Sequence, residues 1–93
     1  ITVYVNTIAG VTTANSSVDA ALISRMNTNM AVANDIIRNV SEARGLKLFD
    51  MAIVMNNPDG TLKAEYSADG VHFSAAGNQI WYDTLRPSVE AAF

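Results

Sequence analysis

The 93 residues include no cysteine, one histidine and a formal net charge of −3, so disulfides and thiolate metal sites are excluded and no basic patch is available for nucleic-acid phosphates. This length makes one small domain or a piece of a larger one. No apolar run approaches the ~20 residues that span a bilayer.

Ile1-Thr2-Val3-Tyr4-Val5 is β-branched and aromatic with alternating apolar positions, and reads as a strand. Thr2 and Tyr4 can pack on a covered face, which fits a buried parallel strand as well as a half-exposed one. The chain opens inside this run, on Ile1 rather than methionine. The expectation is therefore that it forms the C-terminal part of something longer. Residues 8–26 read as a polar connection, with a possible short helix from about Ser17 capped by Ser16 or Ser17.

A clearer helix is expected over 28–44. Met30, Ala33, Ile37 and Val40 recur at three- and four-residue intervals, Ile36 and Ala43 widen the stripe, and Arg44-Gly45 supplies a stop. Leu46-Lys47-Leu48-Phe49-Asp50 reads as a second strand, so the order strand, helix, strand predicts a βαβ unit with parallel strands. Met51 to Met55 continues the apolar run, and periodicity leaves strand extension or short helix open. Asn57-Pro58-Asp59-Gly60 is a turn, and Leu62 to Tyr66 a linker. Ser74 reads as the N-cap of a final helix, with Ala76, Ile80, Leu85 and Trp81 on its buried stripe and Pro87 ending or kinking it.

Before that cap lies the segment with chemistry in it, Asp69-Gly70-Val71-His72-Phe73-Ser74. A carboxylate three residues before the imidazole can accept a hydrogen bond from one ring nitrogen and leave the other as a base. Asp50, at the end of a buried strand, reads instead as a structural acid bonding nearby backbone amides. Phe73 and Trp81 read as core or pocket wall, and the four methionines as gap-fillers. One histidine and no cysteine argue against a zinc or catalytic metal site, and no cofactor is expected.

The block Asp69-Gly70-Val71-His72-Phe73-Ser74-Ala75-Ala76-Gly77-Asn78-Gln79-Ile80-Trp81 resembles the last conserved block of the SGNH hydrolases, also called GDSL esterases and lipases. In that family an Asp-x-x-His turn supplies two members of a Ser-His-Asp triad. Upstream, Asn34-Asp35-Ile36-Ile37, Leu48-Phe49-Asp50 and Asp59-Gly60 follow in the family's order. Asn78 departs from it, standing where many members carry an aromatic residue.

The resemblance implies an α/β fold: the C-terminal half of a three-layer α/β/α, flavodoxin-like domain with a parallel sheet. It implies His72 as the catalytic base and Asp69 as its orienting acid. It further implies ester hydrolysis on substrates such as acetylated carbohydrate or lysophospholipid. The family's nucleophilic serine and oxyanion donors have no counterpart here. Ser16 and Ser17 lack a strand-to-helix elbow, and Asn6 lacks a Gly-x-Asn-Asp setting. The serine is thus expected from an N-terminal part of the domain or a companion chain. The alternative is a non-catalytic interaction or assembly module that keeps the fold without the nucleophile block. Two strands and two helices make an incomplete layer, so the isolated chain is expected to be poorly stable or to associate.

Overall fold

The computed structural model describes residues 3–13 and 17–91, so Ile1, Thr2 and the cap candidate Ser16 lie outside the described residues. The elements run β1 (Tyr4–Asn6), α1 (Ala20–Arg44), β2 (Lys47–Phe49), α2 (Met51–Met55), a 3-10 turn (Ala64–Tyr66) and α3 (Ala75–Ala91). β1 and β2 pair in parallel, with Tyr4 opposite Lys47 and Asn6 opposite Phe49. The rings of Tyr4 and Phe49 stack on one face, 5.4 Å between centroids. The fold is α/β, as expected, although β1 extends one residue past Val5.

α1 corrects the expected bounds. A single helix of 25 residues replaces the 28–44 helix and the short one before it. Asp19, not a serine, caps it by accepting the Leu22 N–H. The inward stripe is Ile23, Asn27, Met30, Asn34, Ile37 and Ser41, with Asn34 and Ser41 fully buried. Ile36, Val40 and Ala43, expected on the buried side, are exposed. Asn27 on the inward face interrupts the apolar period over the first turns of the helix, and Asn34 interrupts it again further on. Its end is as read: Gly45 adopts φ 65°, and Leu46 N–H closes onto the Ser41 carbonyl.

Those asparagines have work on the inside of the helix. The stretch from Ile8 to Val11 crosses the inward face of α1 without a strand partner, and side-chain amides take the place of one. Asn34 accepts the Ile8 N–H at 2.6 Å and donates to the Ile8 carbonyl at 2.9 Å. One heptad earlier, Asn27 does the same for Val11, at 2.8 and 2.9 Å. Asn56 accepts the Gly10 N–H between them. Gly10 is required here, because a Cβ would run into the Gly60 carbonyl and the Asn27 amide oxygen.

Met51 to Met55 resolves as a short helix. Met51, Met55 and Leu62 are fully buried and form the core, against which Phe49, Tyr66, Phe73, Ile80, Trp81 and Leu85 pack. Asp50 is structural: beside the expected backbone amide, that of Ile53, it takes side-chain partners that were not expected. Both carboxylate oxygens receive the Arg38 guanidinium, at 2.7 and 2.9 Å, and Oδ1 also accepts the Thr7 hydroxyl. That guanidinium and hydroxyl hold the Asp50 carboxyl below its usual range. Thr7 in turn accepts the Ala52 N–H, capping α2 from a distant residue.

In α3 the buried face centres on Gly77, Ile80, Trp81 and Leu85, whereas Ala76 is exposed. The helix continues through Pro87 to Ala91. Pro87 is exposed near the end of the helix and lies inside the span of an Arg86–Glu90 pair at 2.6 Å, so the one backbone bond it removes does not end the helix.

Asn34→Ala would take from the half-exposed Ile8 N–H and carbonyl the buried amide that pairs them. At about 1–3 kcal/mol for each of the two groups, toward the lower end because Ile8 is half-exposed, a loss of about 2–3 kcal/mol is expected in urea denaturation. A loss under about 1 kcal/mol would mean that water replaces the amide there.

Candidate active site

The turn between the 3-10 element and α3 is closed as a small antiparallel clasp. Ser67 bridges Phe73, and the N–H of Ser74 donates to the Tyr66 carbonyl at 2.9 Å. Ser74 caps α3 as expected, its hydroxyl accepting the Gly77 N–H and donating to the Glu65 carbonyl. Gly77 packs so closely on the Tyr66 carbonyl that no Cβ fits. The clasp is thereby fixed against α3.

Inside it, Asp69 uses both carboxylate oxygens. Oδ1 accepts the backbone N–H groups of Val71 at 2.9 Å and of His72 at 2.7 Å. Oδ2 lies 2.7 Å from Nδ1 of His72. The two amide donors, with the imidazole after them, hold the Asp69 carboxyl down to about 2. A carboxylate ionised at neutral pH has no proton to give. Nδ1 must therefore carry the hydrogen, which leaves the lone pair of the neutral ring on Nε2.

Sequence reasoning placed Asp69 and His72 as a pair, and the structure brings them together. The His72 side chain is 81% exposed, and Nε2 makes no hydrogen bond among the described residues. None of the described serine hydroxyls bonds to it. Ser67 and Ser74 are turned to backbone groups. A cleft of about 520 Å³ lies instead between α1 and α2, lined by Asn27, Asn34, Arg38, Asn56 and Lys63 among others, away from the clasp. No cluster of three or more His, Asp or Glu side chains among the described residues is placed to hold a metal. No described helix is long and apolar enough to cross a membrane.

Two features of the site went unread in the sequence. Ser67 is buried, and its hydroxyl joins the two ends of the turn. An isolated serine in a run of small residues carries no signal for this. The other is the Thr12 N–H, which donates to the Gly70 carbonyl at 2.9 Å and ties the clasp to the asparagine-bound stretch.

The Asp69 carboxyl titrates near 3.8 when the turn is undone and near 2 when it is formed. Its contribution to the turn is thus complete above pH 3.8 and is lost as the pH falls through 2. Carbon-13 NMR of the carboxyl should show a midpoint near 2, with the Val71 and His72 amide signals moving alongside. A midpoint near 3.8 would mean that the hydrogen bonds to Asp69 are not kept in solution.

Comparison with solved structures finds a GDSL-like lipase from Bacteroides thetaiotaomicron that superposes on this chain with a TM-score of 0.78. Identity is 19%, and the match covers 100% of this chain and 44% of the lipase chain. No family model matches the sequence, and neither does any curated protein. The chain spans less than half the length of that lipase, and over that length it has a GDSL-like fold.

Proposed function

We propose that this chain supplies the His-Asp part of a serine ester hydrolase of the SGNH type. The single observation that carries this reading is the 2.7 Å contact between Asp69 Oδ2 and His72 Nδ1, made by a ring whose other nitrogen faces open space. The likeness in fold to a GDSL-like lipase supports it.

In this reading Nε2 removes the proton from a serine hydroxyl as its oxygen attacks the ester carbonyl carbon. The tetrahedral intermediate collapses when the imidazolium gives that proton to the departing alcohol oxygen, leaving an acyl-serine. Water then attacks the acyl carbon, with Nε2 again taking the proton, and the acid leaves as the serine is reprotonated. Asp69 fixes the tautomer and stabilises the imidazolium throughout. The serine and the oxyanion donors come from outside these residues, in the same polypeptide or a companion chain. Removing one such donor costs about 3–4 kcal/mol of transition-state stabilisation, so the pair alone would be a feeble catalyst. Acetylated carbohydrate and lysophospholipid remain the substrate classes proposed.

The sheet is consistent with a larger three-layer domain. Among the described residues β1 has only β2 as a neighbour, and Val3 and Tyr4 are exposed beside it. An apolar groove of about 390 Å³ is lined by Val5 of β1 with Ile36, Val40 and Leu46. Additional strands and a covering helix would bury these groups.

The test is labelling of the full-length protein by a serine-reactive phosphonate. Labelling and ester turnover are expected, with His72→Ala lowering kcat/KM by about 10²–10⁴-fold and suppressing the labelling. Asp69→Asn should fall in the same range, because the amide favours the wrong tautomer. Labelling indifferent to His72→Ala would remove the imidazole from the mechanism. A full-length protein that neither labels nor turns over any ester would favour the assembly-module reading.

A further inference from the structure

The Asp69–His72 turn depends on a glycine that weakens it. Gly70 sits at φ 95°, a conformation that side chains rarely adopt, and the residue is buried. A glycine here opposes rotation of the peptide between Asp69 and Gly70 less than a residue with a Cβ would. That peptide aims the Asp69 carboxylate. A short turn with this hinge at its centre needs an external restraint if the carboxylate is to stay in line with Nδ1.

We propose that Ser67 is that restraint, a positioning residue that holds the His72 imidazole through the turn. Its hydroxyl bonds to backbone groups, not to the ring or the carboxylate. Its hydroxyl accepts the Gly70 N–H at 2.7 Å and donates to the His72 carbonyl at 3.0 Å, linking the hinge to the residue that carries the base. At 5% exposure, water does not readily replace it. The two bonds are unequal in consequence. The His72 carbonyl has a second donor in the Ala68 N–H, also at 3.0 Å, whereas the Gly70 N–H has the serine oxygen alone among the described residues. Loss of the hydroxyl therefore orphans the hinge itself. On the opposite side of Gly70 the Thr12 N–H holds the carbonyl. Ser67 and Thr12 thus grip consecutive peptides, and the Ser67 grip is the one that faces Asp69.

This inference rests on the proposed hydrolase reading, and its test separates the two. In the full-length protein, Ser67→Ala should lower kcat by about 10–100-fold with KM nearly unchanged, as expected for a base displaced by a fraction of an ångström to an ångström. The Asp69 carboxyl midpoint should rise from about 2 toward 3.8, because the amides that hold it drift. Ser67→Thr keeps a hydroxyl at the same carbon and should restore both readings. A Ser67→Ala protein with an unmoved Asp69 midpoint and unmoved His72 ring signals overturns the proposal, whatever its stability. So does a Ser67→Thr protein as impaired as Ser67→Ala. If the wild type proves unreactive toward phosphonate, the hydrolase reading falls, and the NMR comparison still decides whether Ser67 holds the turn.

Discussion

The stretch from Thr7 to Thr12 carries a constraint that shapes the whole chain. It leaves the sheet, passes under a helix and reaches the clasp, and from Ile8 onward its main-chain groups must be paired although no described strand lies beside them. The Thr7 N–H goes to Phe49 of β2. Ile8 and Val11 are each held from two sides by one asparagine of α1, and Gly10 by Asn56 after α2. The Val11 carbonyl also takes the Leu62 N–H, and the Thr12 N–H reaches Gly70. Sheet, helices and clasp are joined through this one segment. No buried side-chain nitrogen or oxygen among the described residues lacks a partner.

This arrangement explains what was legible in the sequence and what was not. Parallel pairing followed from element order, and the C-terminus of α1 from Arg44-Gly45, because both are local signals. The Asp69–His72 pairing was legible for the same reason: the two residues are three apart and need only one turn. The first two turns of α1 were hidden because Asn27 occupies a position where a helix normally carries an apolar group, as Asn34 does further along. Their purpose is set by a backbone segment 16 and 26 residues away, which no periodicity reports. Asp50 was read correctly as structural, but its side-chain partner Arg38 lies 12 residues earlier on α1, beyond the reach of a local rule. Ser67 is local but chemically unremarked in the sequence. Only the closed clasp shows that its hydroxyl spans the turn.

The chemistry follows from how little of the site is buried. The imidazole gains its direction from hydrogen bonds rather than from packing. Asp69 engages its amide and its ring, and Ser67 and Ala68 its carbonyl. A base held in this way can face a reactant brought by other residues, and the exposed β1 edge lies in the same small chain. Shape alone would not distinguish a hydrolase from an inert relative, since a fold hosts many functions. The proposed role rests on the ionised carboxylate on Nδ1, which fixes the tautomer that a base would need.

The tautomer is therefore the quantity to measure. Long-range proton–nitrogen NMR of the His72 ring, at a pH where the ring is neutral, reports which nitrogen carries the hydrogen. A proton on Nδ1, shifted downfield by the Asp69 carboxylate, with Nε2 bare, is the expected result. A ring protonated on Nε2, with no coupling of its signals to Asp69, would contradict a base held ready for a hydroxyl.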